Sequence, residues 1–127
     1  MNNSKIAAVF YIIPVPAPRM VRSDKYKKRP CVMRYYSFRN ELVLQSNIQK
    51  YILSSPLIIH FHIVMPSSWS HLKKARMTGT PHCSKPDLDN LVKSFMDALS
   101  KSDQNISSIN ASKFWATSNK IIVFNEI

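Results

Sequence analysis

Glycine is almost absent from this sequence, whose 127 residues contain a single one, Gly79. That scarcity excludes the glycine-rich phosphate loops of P-loop and dinucleotide-binding proteins. Cysteine is scarce too. Because Cys31 and Cys83 are far apart, we expect neither a disulfide framework nor a paired-cysteine metal site, and a reducing cytoplasm is the simplest compartment. No apolar run approaches the length of a membrane-spanning helix, and the N-terminus lacks a signal-peptide pattern.

Acidic residues are also few, and the resulting charge is the strongest compositional signal. The chain has 7 Asp and Glu against 18 Lys and Arg, which gives a net charge of +11 and a pI near 10.0. Nucleic acid is the first candidate partner, because neutralising phosphates releases counterions. An anionic membrane surface is the second candidate. The apolar fraction of 45% is ordinary for a folded domain.

The order of predicted elements indicates one small α/β (mixed α+β) domain over residues 1–127, with helices packed on one face of a mixed β-sheet. Runs rich in β-branched and aromatic residues predict strands at Ile6–Ile13, Leu57–Met65, Ile106–Trp115 and Lys120–Ile127. Residues 117–119 suggest that the last two strands form a hairpin. Helices are predicted from Ser37, as the N-cap, to about Ile52, and over Pro86–Ser100.

Two segments concentrate the positive charge and lack a regular apolar period. One is a basic arm at about 19–36, interpreted as a loop or mobile arm with tyrosines available for stacking. The other is a long irregular basic loop at about 66–86. The alternative for the arm is a solvated basic loop, and a loop as long as the second is usually either functional or disordered. The candidate nucleic-acid contacts in these segments are Arg19, Arg22, Lys25, Lys27, Lys28, Arg29, Lys73, Lys74, Arg76 and Lys85.

The few carboxylates are clustered, since four of the seven lie between positions 87 and 103: Asp87, Asp89, Asp97 and Asp103. Acids on a basic surface repel nucleic acid unless divalent cations lie between them. Mg²⁺ prefers carboxylates together with water and phosphate oxygens, and two such ions can assist phosphodiester hydrolysis. The cluster is therefore consistent with metal-dependent phosphodiester chemistry, which a protein that only binds nucleic acid would not need.

The predicted second helix places these acids in a pattern. Asp89, Lys93 and Asp97 recur every four residues beside an apolar stripe. The stripe consists of Leu88, Leu91, Val92, Phe95, Met96 and Leu99. The alternative interpretation is that Asp87 and Asp89 only cap the helix, and that Asp89 and Lys93 form a surface ion pair.

The string Lys85-Pro86-Asp87-Leu88-Asp89-Asn90-Leu91-Val92-Lys93, continuing to Asp97-Ala98-Leu99, resembles the signature of the RusA-type Holliday-junction resolvases. These are small endonucleases common in phages and prophages. Weaker similarity covers most of the rest of the chain, including the proline-rich basic stretch after the first strand, Met65-Pro66, and Lys113-Phe114-Trp115.

The resemblance implies a site and a way of working. Asp87, Asp89 and Asp103 would be ligands of Mg²⁺, with Mn²⁺ as a substitute, and Lys93 would act in catalysis. Asp97 and Asn90 would support the ligands. The family further implies a homodimer that cuts two opposed strands of a four-way DNA junction in the bacterial cytoplasm, encoded by a phage or prophage. Neither a membrane nor a small-molecule cofactor is expected.

The sequence departs from the family pattern just before the third ligand. Ser102 stands where the family has an Asp, and the connection from Leu99 to Asp103 is shorter and lacks the usual Gly and Trp. A degenerate resolvase that binds junctions without cutting therefore stays open as an alternative. The rival class is a non-enzymatic nucleic-acid-binding module, which would not need Mg²⁺.

Two further groups have a functional and a structural interpretation. His60 and His62 share one face of a predicted strand and, with His82 or Cys83, could form a zinc site. We favour two histidines on a polar sheet face instead. We likewise expect Trp69 and Trp115 to be core or interface residues rather than platforms for base stacking.

Overall fold

The computed structural model describes residues 5–99 and 105–125 and forms one α/β domain, as the sequence predicts. Its elements are β1 (Ile6–Phe10), α1 (Pro30–Gln49), β2 (Leu57–Val64), α2 (His71–Met77), α3 (Leu88–Leu99), β3 (Ile109–Ala116) and β4 (Lys120–Phe124), with a 3₁₀ turn at Arg22–Lys25. The described part of the chain contains no helix that is both long and apolar enough to cross a membrane.

The four strands form a mixed sheet in the order β1-β4-β2-β3. β2 pairs with β3 in parallel and with β4 antiparallel, so the predicted hairpin between the last two strands is wrong. Residues 117–119 instead cross the end of β2, where the Asn119 side chain accepts a hydrogen bond of 3.0 Å from the Val64 amide. Three residues suffice, because β3 and β4 lie only about 9.6 Å apart, which is two strand spacings.

The helices α1 and α3 pack on one face of this sheet, and the core lies between them. Alternate residues of β2 are fully buried there, since side chains on a strand alternate between faces. The core is formed by Ala8, Phe10, Phe38, Leu42, Leu57, Ile59, Phe61, Leu91, Phe95, Met96, Ile121 and Val123. This arrangement packs the apolar side of α3 into the core.

Helix α1 begins seven residues before the predicted N-cap, so Ser37 lies inside the helix and the last part of the predicted arm is helical. Pro30 occupies the first turn, where the missing amide costs nothing and the fixed φ suits a helix. Val32 and Tyr35 are buried one turn apart and continue the stripe of Phe38 and Leu42. Their burial overrides the local charge, which is why the helix extends into a segment that reads as a basic loop.

Both outer edges of the sheet are covered by the protein itself. On β1, the side-chain amides of Gln45 and Gln49 bond the backbone N–H and C=O groups of Val9 and Tyr11, at 2.8–3.1 Å. On β3, residues 79–82 run alongside the strand and form backbone hydrogen bonds with it. A sheet with covered edges resists pairing with further strands.

Candidate active site

The start of α3 presents Asp87 and Asp89 to solvent. Asp87 directly precedes the helix, and its carbonyl oxygen accepts the Leu91 amide at 3.1 Å, which closes the first turn. Asp89 lies in that turn, where its Oδ1 accepts the Asn90 amide at 2.9 Å. The helix dipole favours negative charge at this end, so the fold tolerates two neighbouring carboxylates here. Both side chains are exposed and open to a ligand.

The polar stripe predicted on α3 is present. Asp89, Lys93 and Asp97 are all exposed, while Leu91, Phe95 and Met96 are buried on the opposite side. Asp97 reaches the neighbourhood of α1. There, burial and secondarily the negative charge of Asp97 raise the pKa of Tyr35.

The surface ion pair considered for this stripe does not form. Over residues 5–99 and 105–125, Asp24 and Arg29 form an ion pair but Asp89 and Lys93 do not. The Asp89 carboxylate and the Lys93 ammonium are therefore not paired with each other.

A cleft of about 600 Å³ opens beside Asp87. It is lined by Ile13, Pro14, Val15, Pro16, Arg34, Lys85, Pro86, Asp87 and Asn90. One wall is an apolar, proline-rich segment that is held against α3 by a hydrogen bond from the Ala17 amide to the Asn90 carbonyl, at 3.2 Å. Arg34 and Lys85 supply positive charge to the same cleft. The shape and charge suit a strand of nucleic acid whose phosphates meet cations and whose sugar or base meets the apolar wall.

The segment leading into α3, residues 78–87, is named the approach loop here. Its first half pairs with the outer edge of β3, through Gly79 N to Trp115 O at 2.8 Å, Trp115 N to Thr80 O at 3.0 Å and His82 N to Lys113 O at 3.1 Å. Gly79, the single glycine, has a φ of +82°, a conformation that other residues adopt at a cost. The approach loop is therefore fixed to the sheet rather than free.

The basic arm is also ordered. Asp24, the one acid within it, receives two hydrogen bonds from the Arg29 guanidinium, at 2.7 and 2.8 Å, and one from the Val21 amide at 2.7 Å. These bonds, led by that from Arg29, lower the pKa of Asp24 to about 2. Arg29 also bonds the Arg19 carbonyl at 2.9 Å, so it shapes the arm. The exposed cations left around it are Arg19, Arg22, Lys25, Lys27 and Lys28.

The predicted irregular loop at 66–86 contains a short helix, α2, so that expectation is wrong in part. Ser70 caps it by accepting the Lys73 amide at 3.1 Å, a signal present in the sequence but outweighed by the absence of an apolar stripe. The cations Lys73, Lys74 and Arg76 lie on this helix, while Lys85 is exposed in the approach loop. The Lys73 ammonium stands 4.1 Å from the centre of the Trp69 ring.

Trp69 and Trp115 contact each other, with ring centres 4.8 Å apart, and His82 lies 4.1 Å from Trp115. His82 is buried, and its Nδ1 has no hydrogen-bond partner among the described residues. Burial and then the positive charge of Lys113 lower the pKa of His82. Both tryptophans are half-buried beside the approach loop and lie outside the core, so their structural role stays a prediction.

The possible zinc site is not assembled. Within the described ranges, no three His, Cys, Asp or Glu side chains come together as a set of metal ligands. His60 and His62 instead contact aromatic rings on the sheet face opposite the helices, with Phe124 4.7 Å and Phe114 5.1 Å from His60. That face is mixed, since it also carries Ser112 and Lys120 beside the aromatic rings, and burial lowers the pKa of both histidines.

Asp103, the predicted third carboxylate, lies outside the described residues, as does Ser102. Asp87 and Asp89 are both exposed at the start of α3, and the assignment of all three carboxylates as metal ligands stays a prediction. Their hard oxygen atoms are the type of donor that Mg²⁺ and Mn²⁺ take, and two exposed carboxylates fit such an ion with its remaining positions filled by water or phosphate.

Lys113 is a residue whose role the sequence reading missed. Its ammonium donates to the carbonyl oxygens of Ser84 and Pro86, at 2.5 and 2.7 Å, from the strand beside the approach loop. The sequence did contain a signal for it. Side chains two residues apart on a strand share a face, so Lys113 lies on the same face as Ala111 and Trp115, which is the face that the helices cover. Arg34 was also missed as a residue of the cleft, because it was assigned to the arm.

Two carboxylates are exposed at a helix start, and one of them, Asp87, lines a cleft that also contains cations. In a chain of net charge +11, this arrangement suits the cutting of nucleic acid. Comparison with known proteins agrees. The chain belongs to the endodeoxyribonuclease RusA family, whose sequence pattern matches residues 12–124. No curated protein matches the chain. Family membership confirms the resemblance to RusA-type Holliday-junction resolvases and supports nuclease activity on branched DNA.

Proposed function

We propose that the protein is a Mg²⁺-dependent, structure-selective endodeoxyribonuclease that resolves four-way DNA junctions by paired hydrolysis of phosphodiester bonds. The observation that carries the proposal is the position of Asp87 and Asp89, which are both exposed at the start of α3, with Asp87 lining the cleft that Arg34 and Lys85 make positive. The match to the RusA family over residues 12–124 supports the choice of substrate.

In this proposal, each residue at the start of α3 has a distinct task. Asp87 and Asp89 hold the metal, with Asp103 as the third ligand implied by the family resemblance. A bound divalent cation supplies Lewis-acid chemistry, which lowers the pKa of water and offsets charge on the phosphate. Lys93, one turn after Asp89, places its ammonium where it can stabilise negative charge developing on the phosphate. Asn90 and Asp97 support this arrangement.

Binding of the DNA arms is assigned to the cations around the site. The approach loop and α2 contribute Lys85, Lys73, Lys74 and Arg76, and the basic arm contributes its exposed lysines and arginines. Contacts of this kind are made to phosphates and fix the position of the duplex without reading its sequence. They suit an enzyme that recognises the shape of a junction.

We also propose that the enzyme is a homodimer in which two copies meet through the sheet face opposite the helices. Two chains that each carry +11 repel, so they should meet where charge is lowest. On that face His60, Phe114 and Phe124 form an aromatic cluster, and the lone charged side chain among its described residues is that of Lys120. The covered edges of β1 and β3 leave little room for strand pairing.

The proposed setting is the cytoplasm of a bacterial cell, with the gene carried by a phage or prophage. Cys31 and Cys83 are both free thiols, which suits a reducing compartment. Recombination, replication and packaging all produce branched DNA there, and the proposal covers each of them as a source of substrate.

A second candidate is a junction-binding protein that no longer cuts. The departures at Ser102 and in the short connection before Asp103 favour it, because both touch the segment that would supply the third ligand. The two candidates share DNA binding and differ in metal-dependent hydrolysis alone.

The decisive experiment uses a labelled synthetic four-way junction and a matched linear duplex, with Mg²⁺ or EDTA. We expect paired nicks on the junction with Mg²⁺, and a loss of more than about a hundredfold in cleavage rate for Asp89→Asn, since even residues that only support metal ligands are worth about 10–100-fold. Binding of the junction in EDTA should persist in this variant.

Glu41→Gln is the matched control, because it removes one exposed carboxylate from α1 and should cut like the wild type. A junction that is bound but never cut with Mg²⁺ or Mn²⁺ would establish the junction-binding candidate instead. Cleavage that survives Asp89→Asn would refute the assignment of the site.

A further inference from the structure

We propose that Lys113 is a positioning residue for the carboxylate site, which sets metal affinity by fixing the chain immediately before Asp87. The inference rests on the proposed function, because it concerns the metal that Asp87 and Asp89 would hold. Lys113 belongs to β3 and lies outside the predicted set of catalytic and DNA-binding residues.

The geometry is that of a clamp across the approach loop. The Lys113 ammonium donates to Ser84 O at 2.5 Å and to Pro86 O at 2.7 Å. Pro86 is the residue directly before Asp87, whose own carbonyl begins the hydrogen bonding of α3. One cation therefore joins the strand to the point at which the chain enters the helix.

The clamp continues the pairing between the approach loop and β3. That pairing runs from Gly79 to His82, and its last bond is between the His82 amide and the carbonyl of Lys113 itself. Pro86 has no amide hydrogen with which to extend the ladder. The Lys113 side chain donates hydrogen bonds to the loop beyond the point where the backbone bonds stop. Its ammonium is a charged donor, and hydrogen bonds from charged donors are stronger than those from neutral donors.

The location of Lys113 supports a positioning role rather than direct contact with DNA. Lys113 pairs with Phe61, a fully buried residue of β2, and so extends from the sheet face on which the helices pack. Its ammonium is occupied by two carbonyl oxygens, and its side chain is half-buried. The exposed cations Lys85 and Lys93 are better placed for phosphates.

The consequence concerns the two carboxylates. Asp87 and Asp89 repel each other, and a loosely held chain would let them move apart in the free protein. A cation that binds such a site must first bring them together, which weakens its apparent affinity. With Lys113 in place the chain is already ordered, so the ligands stand close to their binding position before the metal arrives.

The test replaces Lys113 with Met, which keeps the length of the side chain and removes its charge. We expect the Mg²⁺ concentration for half-maximal junction cleavage to rise about tenfold, within the range of about 10–100-fold for residues that orient metal ligands. The loss should be recovered at high Mg²⁺. Affinity for Mn²⁺ without DNA, measured by calorimetry, should weaken by the same factor, and amide exchange over residues 83–90 should accelerate.

Two further variants separate positioning from other roles. Lys113→Arg keeps the charge and the donors and should recover most of the metal affinity. Lys5→Met makes the same charge change at an exposed residue that we assign to no site, and should behave as wild type. Thermal unfolding of each variant shows whether it is folded, and if Lys113→Met is not, Lys113→Gln and the arginine variant decide the question.

The outcomes are distinguishable from failure of the proposed function. Unchanged metal affinity and unchanged amide exchange in a folded Lys113→Met would overturn the inference. Weaker junction binding in EDTA with an unchanged Mg²⁺ midpoint would also overturn it, since Lys113 would then contact DNA. If the wild type cuts no DNA, the proposed function fails, while Mn²⁺ affinity and exchange still decide whether Lys113 orders the site.

Discussion

Two irregular segments of this protein, the basic arm and the approach loop, lead into its two long helices, and they are held in different ways. The arm before α1 is fixed by Asp24 and Arg29, a pair five residues apart near the surface. The approach loop before α3 is fixed by β3, through three backbone bonds and the two bonds from Lys113, which lies 27 residues after Pro86.

The difference matches the tasks that we assign to the two segments. Phosphates of a flexible DNA arm can be met by cations whose positions vary, so a local and solvent-screened ion pair is sufficient for the basic arm. Metal ligands must be placed within a fraction of an ångström, which calls for support from rigid elements. The comparison predicts that changes in the arm alter DNA affinity, while changes in the approach loop alter stability and the site.

The largest expected effect concerns the arm lysines. Replacing Lys25, Lys27 and Lys28 together by Ala should lower the slope of log affinity against log salt by up to about 2.7, if each contacts one phosphate. At about 0.1 M salt this corresponds to a loss of junction affinity of about a hundredfold or more. Fluorescence anisotropy titrations over a range of salt concentrations measure both quantities.

The cleavage rate at saturating DNA should be almost unchanged in the triple variant, since the arm carries none of the proposed metal ligands. Lys5→Ala, with its smaller charge change outside the arm, serves as a control. A triple variant that binds with the wild-type salt dependence would show that these arm lysines do not contact DNA. The assignment of DNA binding to the basic arm would then be wrong.

A smaller effect is expected from the single glycine of the approach loop. Gly79 has a φ of +82°, and no atom lies within 4 Å of where a Cβ would stand, so the cost of a side chain there comes from the backbone alone. Gly79→Ala should lower the free energy of unfolding by about 1 kcal/mol. Denaturant unfolding at neutral pH is the measurement.

Gly79→Asn sharpens this prediction, because asparagine adopts the left-handed region more readily and should lose less stability than alanine. Equal losses of unfolding free energy in the two variants would indicate that any side chain is sterically excluded at this position, contrary to the open space around Gly79. Neither variant should change the salt dependence of DNA binding.

The smallest expected effect is a difference in pH sensitivity between the two segments. In the approach loop, burial and the charge of Lys113 lower the pKa of His82 below its ordinary 6.5. The unfolded chain then binds more protons than the folded one, so stability is present above pH 6.5 and is lost as pH falls below it. His82→Leu should flatten the dependence of the melting temperature on pH in this window.

In the arm, stability also falls as pH falls, but the pH range in which this happens is lower. Hydrogen bonds from Arg29 hold the pKa of Asp24 at about 2 instead of 3.8, so its contribution is complete above 3.8 and is lost as pH falls towards 2. Asp24→Asn should accelerate amide exchange in the arm at neutral pH and leave the slope near pH 6.5 unchanged. An altered slope in that variant, or an unaltered one in His82→Leu, would contradict the assignment.

Local patterns in the sequence predicted the elements that carry the candidate site. The apolar stripe through Leu91 and Phe95 identified α3, and it placed Asp89, Lys93 and Asp97 on the exposed side, because a 3.6-residue period determines which side chains face the core. The charge predicted nucleic acid as the partner, and the motif from Lys85 to Lys93 predicted the family.

Tertiary structure decided how those elements are connected and supported. The position of β4 beside β2, the start of α1 at Pro30 and the clamp formed by Lys113 all depend on contacts between residues far apart in the chain. Periodicity reports which side of an element is buried, but it does not report which partner buries it. The sequence by itself therefore determined which side chains α3 presents to solvent, and only the folded sheet decided how firmly that surface is held.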